Sequence, residues 1–117
     1  MQSRSLTIDE VPGLRNGPHI LRLSGPIILT TLAEFQPKVL GDQSHNLILD
    51  LTNVPYVDSA GIGALVRVYV RHQRDQYGLS LVGVNDRVRT ALEIAHIGQF
   101  FRFFDSLEVA QANHISS

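Results

Sequence analysis

Apolar positions along this chain fall into short blocks, and the spacing within each block identifies the element it forms. Ser5 to Val11 alternates weakly, with Leu6, Ile8 and Val11 apolar, and Pro12-Gly13 follows as turn chemistry. Asn16-Gly17-Pro18 is a second turn signal, so this strand and the next, His19 to Leu23, can form a hairpin with a long loop. Ser24-Gly25-Pro26 closes the second strand. Thr31-Leu32-Ala33-Glu34 has the form of a capping box and predicts a helix of about two to three turns. Pro37 falls inside that helix and implies either a late start or a kink, and Gly41-Asp42 ends it.

Asn46 to Leu51 is a short apolar run of the kind an interior strand requires, and Asn53 to Asp58 is a connector containing Pro55. A long helix follows, through Gln76. Its Ile62, Leu65, Val66 and Tyr69 recur at helical spacing and are expected to face the core, with Arg67, Arg71 and Arg74 on another face. Tyr77-Gly78 stops it, and Leu79 to Val84 is a further strand. Asn85 caps a helix carrying Val88, Leu92 and Ala95 that ends near Ile97-Gly98. Phe101 to Phe104 is a short strand, and a terminal helix starts at Asp105 or Ser106, with 113–117 expected to fray. Alternating strands and helices imply parallel strands joined by helical crossovers, with the early strands pairing antiparallel at one edge. The expected fold is α/β: a single small domain over residues 1–117, with a mixed, mostly parallel β-sheet and crossover helices.

Composition narrows the function classes. At 117 residues with 44% hydrophobic residues the chain can bury a core without staples, and its formal charge of −1 argues against a nucleic-acid partner. No apolar run approaches the roughly 18–20 residues that span a bilayer, so no direct membrane insertion is expected. The N-terminus lacks a secretory pattern, which points to the cytoplasm. With no cysteine, disulfides, thiolate chemistry and cysteine-ligated metals are excluded.

Candidate chemistry concentrates at Asp58-Ser59-Ala60-Gly61-Ile62-Gly63, where a buried strand turns into a helix. A hydroxyl there lies among free backbone N–H groups at the positive end of the helix dipole. Ser59 can therefore cap the helix, hold a phosphate or act as a nucleophile. Gly61 and Gly63 in the first turn each cost on the order of 1 kcal/mol relative to alanine. Such glycines make sense where a backbone or ligand approaches closely, or where the helix start packs tightly on the sheet.

The nucleophile use has little support. A nucleophile elbow needs Gly-x-Ser-x-Gly, and Val57 stands at the first glycine. His19, His45, His72, His96 and His114 are scattered, and none sits in a recognisable sequence motif beside an orienting acid. Phosphate-loop, dinucleotide and His-Glu-x-x-His patterns are missing, so no catalytic residue, metal site or cofactor is assigned. Asp50 and Asp58 fit better as a strand end and a pre-cap residue than as a carboxylate pair. Arg67 is roughly 12 Å from Ser59 by helical rise, too far to clamp a phosphate there. Phosphorylation of Ser59 would add about −1.5 to −2 charge, tolerated by the helix N-terminus but disruptive to a docked partner.

The run from Leu47 through Asp50, Asp58-Ser59-Ala60-Gly61 and on to Leu65 resembles the signature of the STAS domain family, closest in style to bacterial anti-sigma factor antagonists. The order of elements matches from about residue 6 to 112. The resemblance implies a non-enzymatic partner switch in transcription regulation. The unphosphorylated form binds an anti-sigma factor with serine kinase activity and frees the sigma factor; phosphorylation of the serine abolishes binding, and a phosphatase restores it. It implies that Ser59 is the phosphoacceptor, with Asp58, Ala60, Gly61, Ile62 and Gly63 as the partner surface around it. Family members commonly carry Gly-Glu-Leu-Asp before the first helix; this chain has Gly25-Pro26-Ile27-Ile28, with Ile28 where the acid belongs. Ile27, Ile28 and Leu29 either turn into the core or make the partner surface, with Ile28 in it, unusually hydrophobic. The alternative implied function is a STAS scaffold or accessory subunit, not phosphorylated, in a signalling or membrane-transport complex.

Overall fold

The computed structural model describes residues 5–13, 17–42, 44–74 and 78–115. Five strands form one sheet in the order β1 (Thr7–Val11), β2 (His19–Ser24), β3 (Asn46–Asn53), β4 (Gly78–Val82) and β5 (Arg102–Phe104). The β1–β2 pair is antiparallel, with Ile8 opposite Leu23, as the two turn signals suggested. Every other neighbouring pair is parallel. Because spatial order follows chain order, right-handed crossovers put the three connecting helices on one face. These are α1 (Leu32–Phe35), α2 (Ser59–Arg74) and α3 (Asp86–Ile94), and α4 (Leu107–Ile115) packs on the opposite face. The sheet is mixed and mostly parallel, and the chain is a single small domain of the expected class.

β3 is the central strand, and its apolar run is buried on both faces. Leu47, Leu49 and Leu51 face α1, α2 and α3, together with Phe35, Val39, Leu65, Val68, Val88 and Leu92. Ile48 faces the other way, with Ile20, Val82 and Ala110 of α4. Truncating such a leucine costs about 2–5 kcal/mol, so this strand fixes the platform from which the following loop leaves.

Four expectations need correction. The Thr31 hydroxyl does not cap a helix running toward Glu34; it reaches back, accepting from the Ile28 amide at 3.0 Å and donating to the Pro26 carbonyl at 2.9 Å. The helical segment therefore begins earlier, as a 3-10 turn over Leu29–Thr31. Of the two effects expected of Pro37, the late start is not seen, and the helical geometry changes at the proline instead. With no N–H to give, proline sits in a widened π turn over Gln36–Leu40, closed by the Gly41 amide on the Gln36 carbonyl at 3.1 Å. The core face of α2 is Gly61, Ala64, Leu65, Val68 and His72; of the expected residues Leu65 is buried, Ile62 and Tyr69 pack against the core partly buried, and Val66 is partly buried without joining it. α4 stays helical through Asn113, whose side-chain amide donates to the Val109 carbonyl at 2.9 Å, so the fraying expected from 113 does not begin there. The expected stop at Tyr77 and the end of the chain, 116–117, lie outside the described residues.

Candidate functional site

The loops leaving β2 and β3 are zipped together beyond the sheet. The Gly25 amide donates to the Asn53 carbonyl at 3.0 Å, Ile27 to Tyr56 at 3.3 Å, and Asp58 back to Ile27 at 3.3 Å. Ile27 and Val57 thus form one isolated parallel bridge. From the other side Asn85 serves two elements. Its side-chain oxygen caps α3 by accepting from the Val88 amide at 2.7 Å, and its NH2 donates to the Val54 and Pro55 carbonyls at 3.2 Å each. The Arg87 guanidinium lies over the Tyr56 ring, 4.7 Å from its centroid. The connector before Ser59 is therefore held on both sides, and the hydroxyl is presented from a fixed backbone.

The cap of α2 is Asp58, which corrects the cap reading of Ser59. One Asp58 oxygen accepts from the Gly61 amide at 2.8 Å, and the Asp58 carbonyl accepts the first helical bond from Ile62 at 2.8 Å. The other carboxylate oxygen accepts from the Leu29 amide at 3.0 Å. Asp58 thus closes the starts of two helical segments. Ser59 is the first residue of α2 and is exposed, relieved of the capping role its residue type suggested.

Gly61 and Gly63 divide between the two explanations offered for them. A Cβ on Gly61 would stand 1.9 Å from the Ile27 carbonyl oxygen, so only glycine lets α2 start against that backbone. A Cβ on Gly63 would meet nothing within 4 Å. Gly63 is exposed and follows Ser59 by one turn, on the same side of the helix. Ala60 and Ile62 are partly exposed beside it.

The apolar stretch across from the serine divides residue by residue. Ile27 is fully buried, Ile28 is half-buried, and Leu29 is 69% exposed. Leu29 is the residue that sequence reasoning did not single out. It was visible only as the third of three consecutive apolar residues, and nothing local distinguishes the one that leaves the core.

The remaining charged groups lie away from this corner. Asp50 is buried under Arg22, whose Nε donates to it at 3.0 Å. Burial pushes the Asp50 carboxyl up, but the Thr52 hydroxyl and amide, with Arg22, outweigh it and hold it below the usual carboxylate value. Asp50 and Asp58 therefore have separate partners and form no carboxylate pair. The arginine face is also divided: Arg71 donates to the Leu40 carbonyl at the end of the π turn, and Arg67 and Arg74 are exposed. His19 is engaged by Asp42 at 2.5 Å and Glu10 at 3.3 Å. His72 is buried, with Nδ1 on the Val68 carbonyl at 3.0 Å, about 20 Å along α2 from Ser59. Among the described residues no side chains converge as a metal site, and no helix is long and apolar enough to cross a membrane.

The chemistry available at Ser59 follows from this geometry. The hydroxyl is exposed, sits over the positive end of a 16-residue helix, and has Gly63 rather than a side chain one turn below it. A phosphate attached there would meet a favourable dipole.

Solved structures place this architecture among known ones. The fold is similar to an anti-sigma factor antagonist from Mycobacterium paratuberculosis, with a TM-score of 0.80 at 18% identity over 94% of each chain. It is similar to the Bacillus cell fate determinant SpoIIAA in its phosphorylated form, with a TM-score of 0.67 at 12% identity over 92% of this chain and 99% of that one. It also resembles part of the murine anion transporter Slc26a9, with a TM-score of 0.72 at 25% identity, covering 86% of this chain and 18% of the transporter. The family model for the STAS domain matches residues 7–110, nearly the whole of the described fold, and the chain belongs to the STAS domain family.

Proposed function

We propose that this protein is an anti-sigma factor antagonist in which Ser59 is the phosphoacceptor. In its unmodified form it binds an anti-sigma factor that is also a serine kinase, and so releases a sigma factor. The kinase moves a phosphoryl group from ATP to the Ser59 oxygen, binding is lost, and a phosphatase restores it. This reading puts the protein in the cytoplasm, where the kinase has its ATP, and assigns the protein itself no catalysis.

The observation that carries the proposal is the division of labour at the start of α2. Asp58 caps the helix, which leaves the Ser59 hydroxyl exposed and without a structural task. The partner surface comprises Asp58, Ala60, Ile62 and Gly63 with Ile28 and the exposed Leu29, and Gly61 supports it from beneath, buried against Ile27. Similarity to SpoIIAA, solved in both unphosphorylated and phosphorylated forms, supports the reading. The test is to incubate the protein and its Ser59→Ala variant with a candidate anti-sigma kinase and ATP. One phosphate on the parent and none on the variant is expected; equal incorporation in both sinks the assignment.

A second reading has its own support. The similarity to Slc26a9 and the isoleucine at position 28 fit an accessory module of a membrane-transport complex that uses the same face without phosphorylation. Absence of phosphate transfer from every candidate kinase, with retained binding to a transporter segment, would favour it.

A further inference from the structure

Asp58 joins two surfaces that are 29 positions apart in the chain. One oxygen holds the Gly61 amide at 2.8 Å inside α2; the other holds the Leu29 amide at 3.0 Å at the head of the 3-10 turn. That turn has a second anchor at its inner end, where Thr31 bonds the Ile28 amide and the Pro26 carbonyl. At its outer end the Leu29 amide is one of the unsatisfied donors of a helical start, and Asp58 is the acceptor that satisfies it. The Leu29 side chain, 69% exposed, stands on this outer end.

We propose that Asp58 is a positioning residue that couples Ser59 to Leu29. A phosphate on Ser59 displaces the Asp58 carboxylate from the Leu29 amide and releases the outer end of the Leu29–Thr31 turn. The inference rests on the reading of Ser59 as phosphoacceptor. Its physical basis is local. Consecutive Cα atoms are 3.80 Å apart, so a group carrying about −1.5 to −2 charge would stand immediately beside an existing carboxylate. The phosphate oxygens also compete for the first-turn amides of α2, where anions are favoured. Of the two bonds Asp58 makes, the one to Leu29 is the exposed one and lies outside α2, so it is the bond that gives way. Thr31 keeps the inner end in place, which confines the change to Leu29 and Thr30. Phosphorylation then alters the shape of the surface that presents Leu29 as well as its charge.

The test uses the full chain with phosphoserine built in at position 59 by encoded incorporation, which needs no kinase. Amide shifts and solvent-exchange rates are read by NMR. In the phosphoserine protein the Leu29 amide is expected to move upfield and to exchange roughly tenfold faster, as loss of a hydrogen bond to a charged group implies. Asp58→Asn supplies the second arm. Asparagine is a good cap for the Gly61 amide but has a single acceptor oxygen, so it is expected to speed Leu29 and leave Gly61 protected. Adding phosphoserine to Asp58→Asn is then expected to change Leu29 no further. An unmoved Leu29 amide in the phosphoserine protein overturns the coupling, as does an equal additional change in the Asp58→Asn background. The parent reading fails separately, in the kinase assay: no phosphate transferred to Ser59 overturns that reading, whatever the Leu29 amide does.

Discussion

The first turn of α2 has an inner face and an outer face, and the two are built on different terms. On the inner face every group has a fixed partner: Gly61 lies against the Ile27 carbonyl, and Asp58 bonds the Gly61 and Leu29 amides. On the outer face Ser59 and Gly63 are exposed, and a side chain at Gly63 would touch nothing. One glycine is required by the fold, and the other is required by no contact among the described residues. The inner face therefore holds the turn in position, and the outer face is what the turn is positioned to present.

Substitutions that exchange these roles are the way to break the comparison. Gly61→Ala should be the most damaging, destabilising by about 3 kcal/mol in chemical denaturation, because its Cβ runs into backbone that cannot rotate away. Asp58→Ala should follow at about 2 kcal/mol, since it uncaps α2 and frees the Leu29 amide together. Gly63→Ala should act in the opposite direction. It should raise stability by about 0.5–1 kcal/mol through helix propensity, yet weaken binding of the anti-sigma factor in a titration. Ser59→Ala should change stability least, by less than about 0.5 kcal/mol, because the hydroxyl caps nothing. A large loss of stability in Ser59→Ala, or in Gly63→Ala, would erase the distinction between the faces.

Much of the platform under this turn was readable from residue pattern. The interior run at β3, the antiparallel pairing of β1 with β2 and the Asn85 cap each follow from local chemistry, and each appears where expected. What local pattern missed depends on contacts made across the fold. Asp and Ser in sequence are both good helix caps, and the Ile27 carbonyl, by accepting from the Asp58 amide, selects the aspartate. The buried face of α2 was expected at Ile62, Leu65, Val66 and Tyr69. Leu65 is buried there and Ile62 and Tyr69 pack against the core, but the face is centred toward Gly61, Ala64 and Val68, since a glycine in the core contributes no hydrophobic signal even where it makes the closest approach. The Ile27-Ile28-Leu29 run carried no hint of its division, because the Leu29 amide finds its partner in Asp58, 29 positions away in the chain.

If the exposed Ser59 hydroxyl on the outer face controls partner binding as proposed, affinity with and without its phosphate is the decisive measurement. The protein would be titrated with the anti-sigma factor proposed as its partner before and after stoichiometric phosphorylation, alongside Ser59→Ala carried through the same ATP treatment. The account predicts that phosphorylation weakens binding by at least about tenfold, as charge repulsion at an interface implies, while Ser59→Ala binds equally well before and after ATP. Equal affinity of the phosphorylated and unmodified protein would contradict it.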